Sequence, residues 1–189
     1  MIDFAKDIEQ SLTTLQNGGV ILYPTDTIWG LGADATNESA VEQIINIKHR
    51  PANKSFVVLV ASERDIMQYV ASVDLAVFDY LDKQTKPTTV IYHNAIGLAG
   101  NVLAADGSVA IRICKDEFCK NLIKRFRKPI VSTSANISNE PSPENFAYIN
   151  PLVKKNVDFI VQHRQNENQK TVPSSIITWQ NGEVKILRP

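Results

Sequence analysis

Four short segments hold most of the side chains with which this chain could do chemistry. The first, Pro24-Thr25-Asp26-Thr27-Ile28-Trp29-Gly30, follows a short apolar run and offers hydroxyls and a carboxylate. Strand ends are where α/β sheets bind ligands, and hydroxyls there can hold a small polar molecule. The same residues also suit an ordinary turn in which Thr and Asp satisfy backbone groups. The second, Lys48-His49-Arg50-Pro51-Ala52-Asn53-Lys54, brings Lys48, Arg50 and Lys54 to one helix end. Lys48 continues the apolar stripe begun by Val41, so it points toward the sheet rather than outward. Three converging cations make a local anion site, whereas compensation of the helix dipole needs only one or two solvated ones. The third, Val131-Ser132-Thr133-Ser134-Ala135-Asn136-Ile137-Ser138, offers hydroxyls and amides to phosphate oxygens, a ribose or a base edge, or else caps the next element. The fourth is Arg112 within the apolar stretch Val109 to Ile113, either a solvent-facing alternation or a ligand clamp. Ser174-Ser175 and Arg188 complete the polar inventory.

Several chemistries are excluded. The chain has no GxGxxG or Walker A loop and no evident Ser-His-Asp order, so any phosphate must be held by cations and hydroxyls. Its 20 Lys and Arg balance 20 Asp and Glu, which leaves no global field and makes any anion site a local one. Cys114 and Cys119 miss the spacing of a zinc knuckle and read as small packing residues, and the scattered His49, His93 and His163 show no metal-ligand spacing. A protein-coordinated metal is not expected. Lys120, Lys124, Arg125, Arg127 and Lys128 make a basic helix that either touches RNA phosphates or is a solvated face. The N-terminus lacks a signal-peptide pattern, and the longest apolar run, Phe56 to Ala61, is too short to span a bilayer. The expected compartment is the cytoplasm, and no membrane contact is expected.

The elements that must position these groups alternate in type. An amphipathic helix uses Ile2, Phe4, Ile8 and Leu12, and a strand runs from Val20 to Tyr23 before Pro24. Asn37 caps a helix that reaches His49, with Val41, Ile44 and Ile45 on its apolar side. Phe56 to Val60 is a continuous β-branched run, the pattern of a strand covered on both faces. Helices over 63–70 and 75–83, strands over 89–92 and 109–113, a helix over 115–126 and a strand over 129–132 follow. A loop with one helical turn covers 139–151, and strands near 159–162, 175–179 and 184–187 close the chain. Asn181-Gly182 is a hairpin turn between the last two. The whole, 1–189, reads as a single domain of 189 residues: an α/β fold with a twisted, mixed parallel and antiparallel sheet and flanking helices.

Taken together, the PTDT segment, the Lys-x-Arg of Lys48 and Arg50, and the Ser-Ala-Asn of Ser134 to Asn136 resemble the YrdC/TsaC family of threonylcarbamoyl-AMP synthases, from Gly18-Gly19 to Leu187-Arg188-Pro189. The resemblance implies a YrdC-like fold with an open cleft. It implies that L-threonine, bicarbonate or CO2, and ATP give threonylcarbamoyl-AMP and pyrophosphate, with Mg2+ arriving on the ATP. A threonylcarbamoyl transferase complex would then modify an adenosine of tRNA, with a transient tRNA contact possible here. Carried over by motif, Thr27, Arg112, Ser132 and Ser174 surround threonine. Lys48, Arg50, Lys54, Ser108, Ser134, Asn136, Ser142 and Arg188 surround ATP, and Lys48 and Arg50 carry the catalytic charge.

This chain departs from the family pattern in four places. Trp29 stands for a usual Tyr and is expected on the cleft wall; Thr85-Lys86-Pro87-Thr88-Thr89 replaces a Pro-Gly-Pro-x-Thr loop. Leu59 stands where some relatives place a threonine-contacting His, and Asn139 replaces a common Gly. Two rival readings stay open at this point: a YciO-like paralogue with weak or altered activity, and a non-catalytic RNA-binding module that uses the cleft as a phosphate groove.

Overall fold

The computed structural model describes residues 4–50, 56–168, 172–180 and 182–189. In chain order the elements are α1 (Ala5–Gln16), β1 (Ile21–Tyr23), β2 (Gly30–Asp34), α2 (Glu38–Lys48), β3 (Val57–Val60), α3 (Glu63–Tyr69), α4 (Ala76–Asp82), β4 (Thr88–Tyr92), β5 (Val109–Ile113), α5 (Glu117–Phe126), β6 (Ile130–Ser134), α6 (Pro151–Lys155), β7 (Phe159–Ile160), β8 (Ser175–Gln180) and β9 (Glu183–Arg188). The described strands make one mixed sheet in the order β7-β1-β2-β6-β3-β5-β4-β8-β9. β1 with β7, β3 with β5 and β4 with β8 are parallel, and the other neighbours are antiparallel.

Alternation along the strands sorts side chains into two layers. Val20, Leu22, Val58, Val60 and Val131 join one core cluster with Val41 and Ile44 of α2, Ile66 of α3 and Val77 and Phe78 of α4. Ile21, Tyr23, Leu59 and Ile130 face the opposite way, against Ile8 and Leu15 of α1 and Phe118, Leu122 and Phe126 of α5. β3 is therefore covered on both faces, as its unbroken apolar run requires. On the second face α1 and α5 lie over one half of the sheet, and the site described below opens beside them.

Helix ends follow their sequence signals. Asn37 caps α2 by accepting from the Ala40 N–H at 3.2 Å, and α2 stops at His49, whose φ is 48°. Asp116 caps α5 through the Cys119 N–H at 2.9 Å, so that helix begins after the acid rather than at Lys115. Cys114 and Cys119 are both buried with free thiols. Gly182 has φ 80° at the β8–β9 turn, and Asn181 lies outside the described residues. Ile186 and Leu187 of β9 are exposed, so the ladder to β8 rather than their burial holds the last strand. The short helix α6 and a 3-10 turn at Gly100–Val102 fall where no helix is read from the sequence.

The missed strand is β2, Gly-Leu-Gly-Ala-Asp, which lacks the β-branched residues that mark a strand. Its composition comes from crowding across the sheet. A Cβ on Gly32 would lie 2.6 Å from Cε1 of Tyr23 and 3.1 Å from Cγ2 of Ile130, both in buried side chains. A glycine lets two large neighbours close over the strand, and alanine forces one of them to move. Gly32→Ala is expected to cost about 1–3 kcal/mol of stability, measured as a lower midpoint in urea unfolding.

Candidate active site

β1 ends at Pro24, and the chain turns through Thr25-Asp26-Thr27 before pairing back as β2. Thr25 Oγ1 donates to the Ile28 carbonyl at 2.7 Å and accepts from the Thr27 N–H at 3.1 Å. The Thr25 and Thr27 hydroxyls are 3.0 Å apart. From outside the turn, Cys119 Sγ and Arg164 Nη1 donate to the carbonyls of Pro24 and Thr25 at 3.3 and 3.1 Å. The two sequence readings of this segment are thus compatible, because a self-satisfied turn also places Thr25 and Thr27 on a cavity wall.

That cavity holds about 280 Å3. The structure brings Thr27, Arg50, Arg112, Ser132, Ser134, Ser142, Ser174 and Arg188 to its walls, with Val57 and Ile176 as apolar patches. Arg112 is not solvent-facing: it is 5% exposed, and its Nη2 donates to Asp26 Oδ1 at 2.9 Å and Thr27 Oγ1 at 3.2 Å. Its Nε is buried without a hydrogen-bond partner. On the far wall Arg188 donates through Nε to the Ser174 carbonyl at 3.0 Å and through Nη2 to Ser174 Oγ at 3.4 Å. Ser174 Oγ also lies 2.8 Å from Thr89 Oγ1. Burial, and then the charge of Arg112, lowers the pKa of Arg188. With Asp26 as the near carboxylate, a cavity flanked by two such guanidiniums favours an anion.

A second cavity of about 500 Å3 is lined by Lys48, Arg50, Ser134, Asn136, Ser138 and Asn139. Arg50 and Ser134 line both cavities and so join them. Arg50 lies over the Phe56 ring at 4.5 Å, and burial lowers its pKa. Lys48 is 1% exposed, as its place on the α2 stripe requires. Its ammonium donates to the carbonyls of Ser134 and Asn136 and, at 3.4 Å, to Asn136 Oδ1. Asn136 Nδ2 in turn donates to the carbonyls of Ile137 and Glu140 at 2.9 and 2.7 Å, closing the Ser-Ala-Asn turn. Asn139 has φ 71°, a conformation that suits Asn in place of Gly.

Other candidates lie elsewhere. Ser108 is buried and bonds Asp106 Oδ1 through its N–H and hydroxyl at 3.0 and 2.6 Å, lining neither cavity. Lys54 lies outside the described residues. Lys124, Arg127 and Lys128 line a separate hollow with Arg64. Trp29, expected on the cleft wall, is instead buried against Phe146 at 4.8 Å in the core cluster. A larger aromatic ring is tolerated there because it fills core volume rather than the cavity. Leu59 is buried under α1 and α5. Asp26, Thr25 and Thr89 were given no site role from the sequence, although Asp26 and Thr25 sit inside the PTDT segment and Thr89 at the Thr of the Pro-Gly-Pro-x-Thr pattern.

A mixed sheet that carries two joined cavities lined by cations and hydroxyls defines an α/β protein with a cleft suited to anions. Residues 13–189 match the Sua5/YciO/YrdC profile, described as "Telomere recombination", and the chain belongs to that family. A Xanthomonas euvesicatoria protein named threonylcarbamoyl-AMP synthase is 33% identical over 159 residues, 82% of this chain and 84% of its own. A Pseudoalteromonas translucida protein of the same name is 29% identical over 180 residues, covering 94% and 95%. Among solved structures, P. abyssi Sua5 complexed with L-threonine superposes with TM-score 0.83 at 23% identity, over 97% of this chain but 54% of that one. E. coli YciO superposes with TM-score 0.82 at 20% identity, over 97% and 88%. These two structures share the fold, and this chain spans about half of the P. abyssi protein.

Lys48 also generates a stability prediction. Lys48→Met removes the donor from two turn carbonyls and is expected to cost about 1–3 kcal/mol for each carbonyl left unsatisfied, read as a lowered thermal midpoint without ligand.

Proposed function

We propose that this protein makes L-threonylcarbamoyl-AMP from L-threonine, bicarbonate or CO2, and ATP, releasing pyrophosphate. The observation that carries this reading is the joined pair of cavities, with Arg112 and Arg188 in one, Lys48 in the other and Arg50 between them. In this assignment the smaller cavity takes the amino acid. Thr27, Arg112, Ser132 and Ser174 surround it, and the guanidinium of Arg112 on its wall offers positive charge to a carboxylate. Arg50, Ser134 and Asn136 face the nucleotide in the second cavity, Ser142 and Arg188 reach toward it from the wall of the first, and Lys48 contributes charge from beneath the Ser-Ala-Asn turn. Mg2+ enters bound to the triphosphate.

The amine attacks CO2 to give a carbamate, whose oxygen then attacks the α-phosphorus as pyrophosphate leaves. All three reactants carry or develop negative charge, so fixed cations and positioning supply most of the catalysis and no protein nucleophile is required. The product then passes to a threonylcarbamoyl transferase complex in the cytoplasm that modifies an adenosine of tRNA.

The direct test is pyrophosphate release that depends on L-threonine and needs no tRNA. Its absence from the purified protein would point to an altered paralogue or a passive phosphate groove. Arg50→Ala should weaken ATP use by about 1.5–3 kcal/mol with little change in thermal stability, and unchanged ATP kinetics would remove Arg50 from the nucleotide site. Deleting Arg188 and Pro189 should raise the ATP concentration needed for activity while leaving the fold nearly intact. A collapse of the melting temperature would make Arg188 merely structural.

A further inference from the structure

The hydrogen atoms around the PTDT turn can be assigned by elimination. A hydroxyl has one proton to give and two lone pairs with which to accept. Thr25 spends its proton on the Ile28 carbonyl, which can only accept, at 2.7 Å. In the contact between the Thr25 and Thr27 hydroxyls, 3.0 Å apart, Thr27 must therefore be the donor. Thr25 Oγ1 is then saturated, because it also accepts from the Thr27 N–H. Thr27 Oγ1 accepts from Arg112 Nη2 at 3.2 Å and keeps one lone pair. Since Thr27 lines the cavity, that lone pair belongs to the ligand.

The guanidinium at the head of this chain has its own anchor. Asp26 Oδ1 accepts from the same Arg112 Nη2 at 2.9 Å, while Asp26 Oδ2 takes the Lys115 N–H at 3.4 Å. Both Asp26 and Arg112 side chains are at least nine-tenths buried. A buried arginine on the cavity wall whose Nη2 is held by a buried carboxylate has the plane of its guanidinium set by that pairing.

We propose that Thr25 and Asp26 are positioning residues for the amino-acid subsite: Thr25 fixes the Thr27 hydroxyl as an acceptor toward the cleft, and Asp26 fixes the guanidinium of Arg112. The subsite then presents one acceptor and one cationic donor in fixed geometry, which a ligand with both a donor and a carboxylate satisfies. That this ligand is L-threonine rests on the function proposed above.

The experiment measures KM for L-threonine and KM for ATP separately, with thermal unfolding, for wild type, Thr25→Val, Thr25→Ser and Asp26→Asn. Valine keeps the shape of Thr25 and frees the Thr27 proton to point into the cleft. It should raise KM for threonine roughly threefold to tenfold while KM for ATP stays within about twofold. Serine restores the acceptor and should return KM for threonine toward the wild-type value. Asp26→Asn should raise KM for threonine about tenfold or more, again without a matching rise for ATP. A merely structural role moves both KM values together with the melting temperature, and that result overturns the proposal. So does an unchanged KM for threonine in Thr25→Val or Asp26→Asn. Should the valine variant not fold, Asp26→Asn alone decides the matter. No threonine-dependent turnover in the wild type sinks the proposed function instead, and with it the assignment of threonine to this subsite.

Discussion

One buried ammonium organises the end of the cleft formed by the turn after β6. Lys48 sits at the last turn of α2, where a leucine would satisfy the apolar stripe, yet its charge ends among the carbonyls of Ser134 and Asn136. Its own carbonyl accepts from the Ser138 N–H at 2.8 Å, so one residue ties down the turn after β6 from both of its ends. Burying an ammonium is costly unless oxygens replace its water, and carbonyl oxygens are the replacement here. The result is a rigid wall in which Ser134 and Asn136 are held by the same cation that raises the local positive potential. Arg50, two residues on, projects past this wall and over Phe56.

The second determinant is incomplete coverage of one sheet face. α1 and α5 bury Tyr23, Leu59 and Ile130. Beyond their edge the same face carries Arg112, Ser132 and Val57 on adjacent strands, Val57 in register with Ser132 and Arg112 with Leu59. Strand-mounted side chains have little freedom, so Arg112 and Ser132 are placed by the sheet itself rather than by loops. The hairpin of β8 and β9 then adds Ser174 and Arg188 from the other side, across Thr89 of β4. Two arginines are brought near each other against their mutual repulsion, a cost that a bound anion relieves.

Much of this was legible in the sequence, and the exceptions have physical reasons. β3 and β5 and the helices α2, α3 and α4 follow from apolar runs, periodicity and caps, and the position of Lys48 on the α2 stripe foretold its burial. β2 was missed because Gly32 answers to Tyr23 and Ile130 across the sheet, a constraint that local propensity does not contain. Trp29 was misplaced for the same reason: whether an aromatic ring faces cleft or core depends on Phe146, far along the chain. The clustering of Thr27, Arg112, Ser132, Ser174 and Arg188 depends on strand order, which no local pattern encodes; it came from the resemblance. Asp26 went unassigned because a carboxylate in a turn has an adequate local explanation until its buried partner is seen.

The strand order carries a kinetic consequence. β6 lies between β2 and β3, and β5 between β3 and β4, so the middle of the sheet is filled by segments made after the strands that flank them. Gly30 must wait for Ser134, and Val58 for both Ile111 and Val131. Non-local pairing of this kind pays loop-closure entropy before any contact rewards it, which makes folding slow for the chain's size. Until β5 and β6 dock, β3 has open hydrogen-bonding edges and an apolar, β-branched surface, the combination most prone to pair with a neighbouring chain. During synthesis, the same Val57–Val60 run that ends up paired on both edges in the middle of the folded sheet is therefore a segment in need of a chaperone.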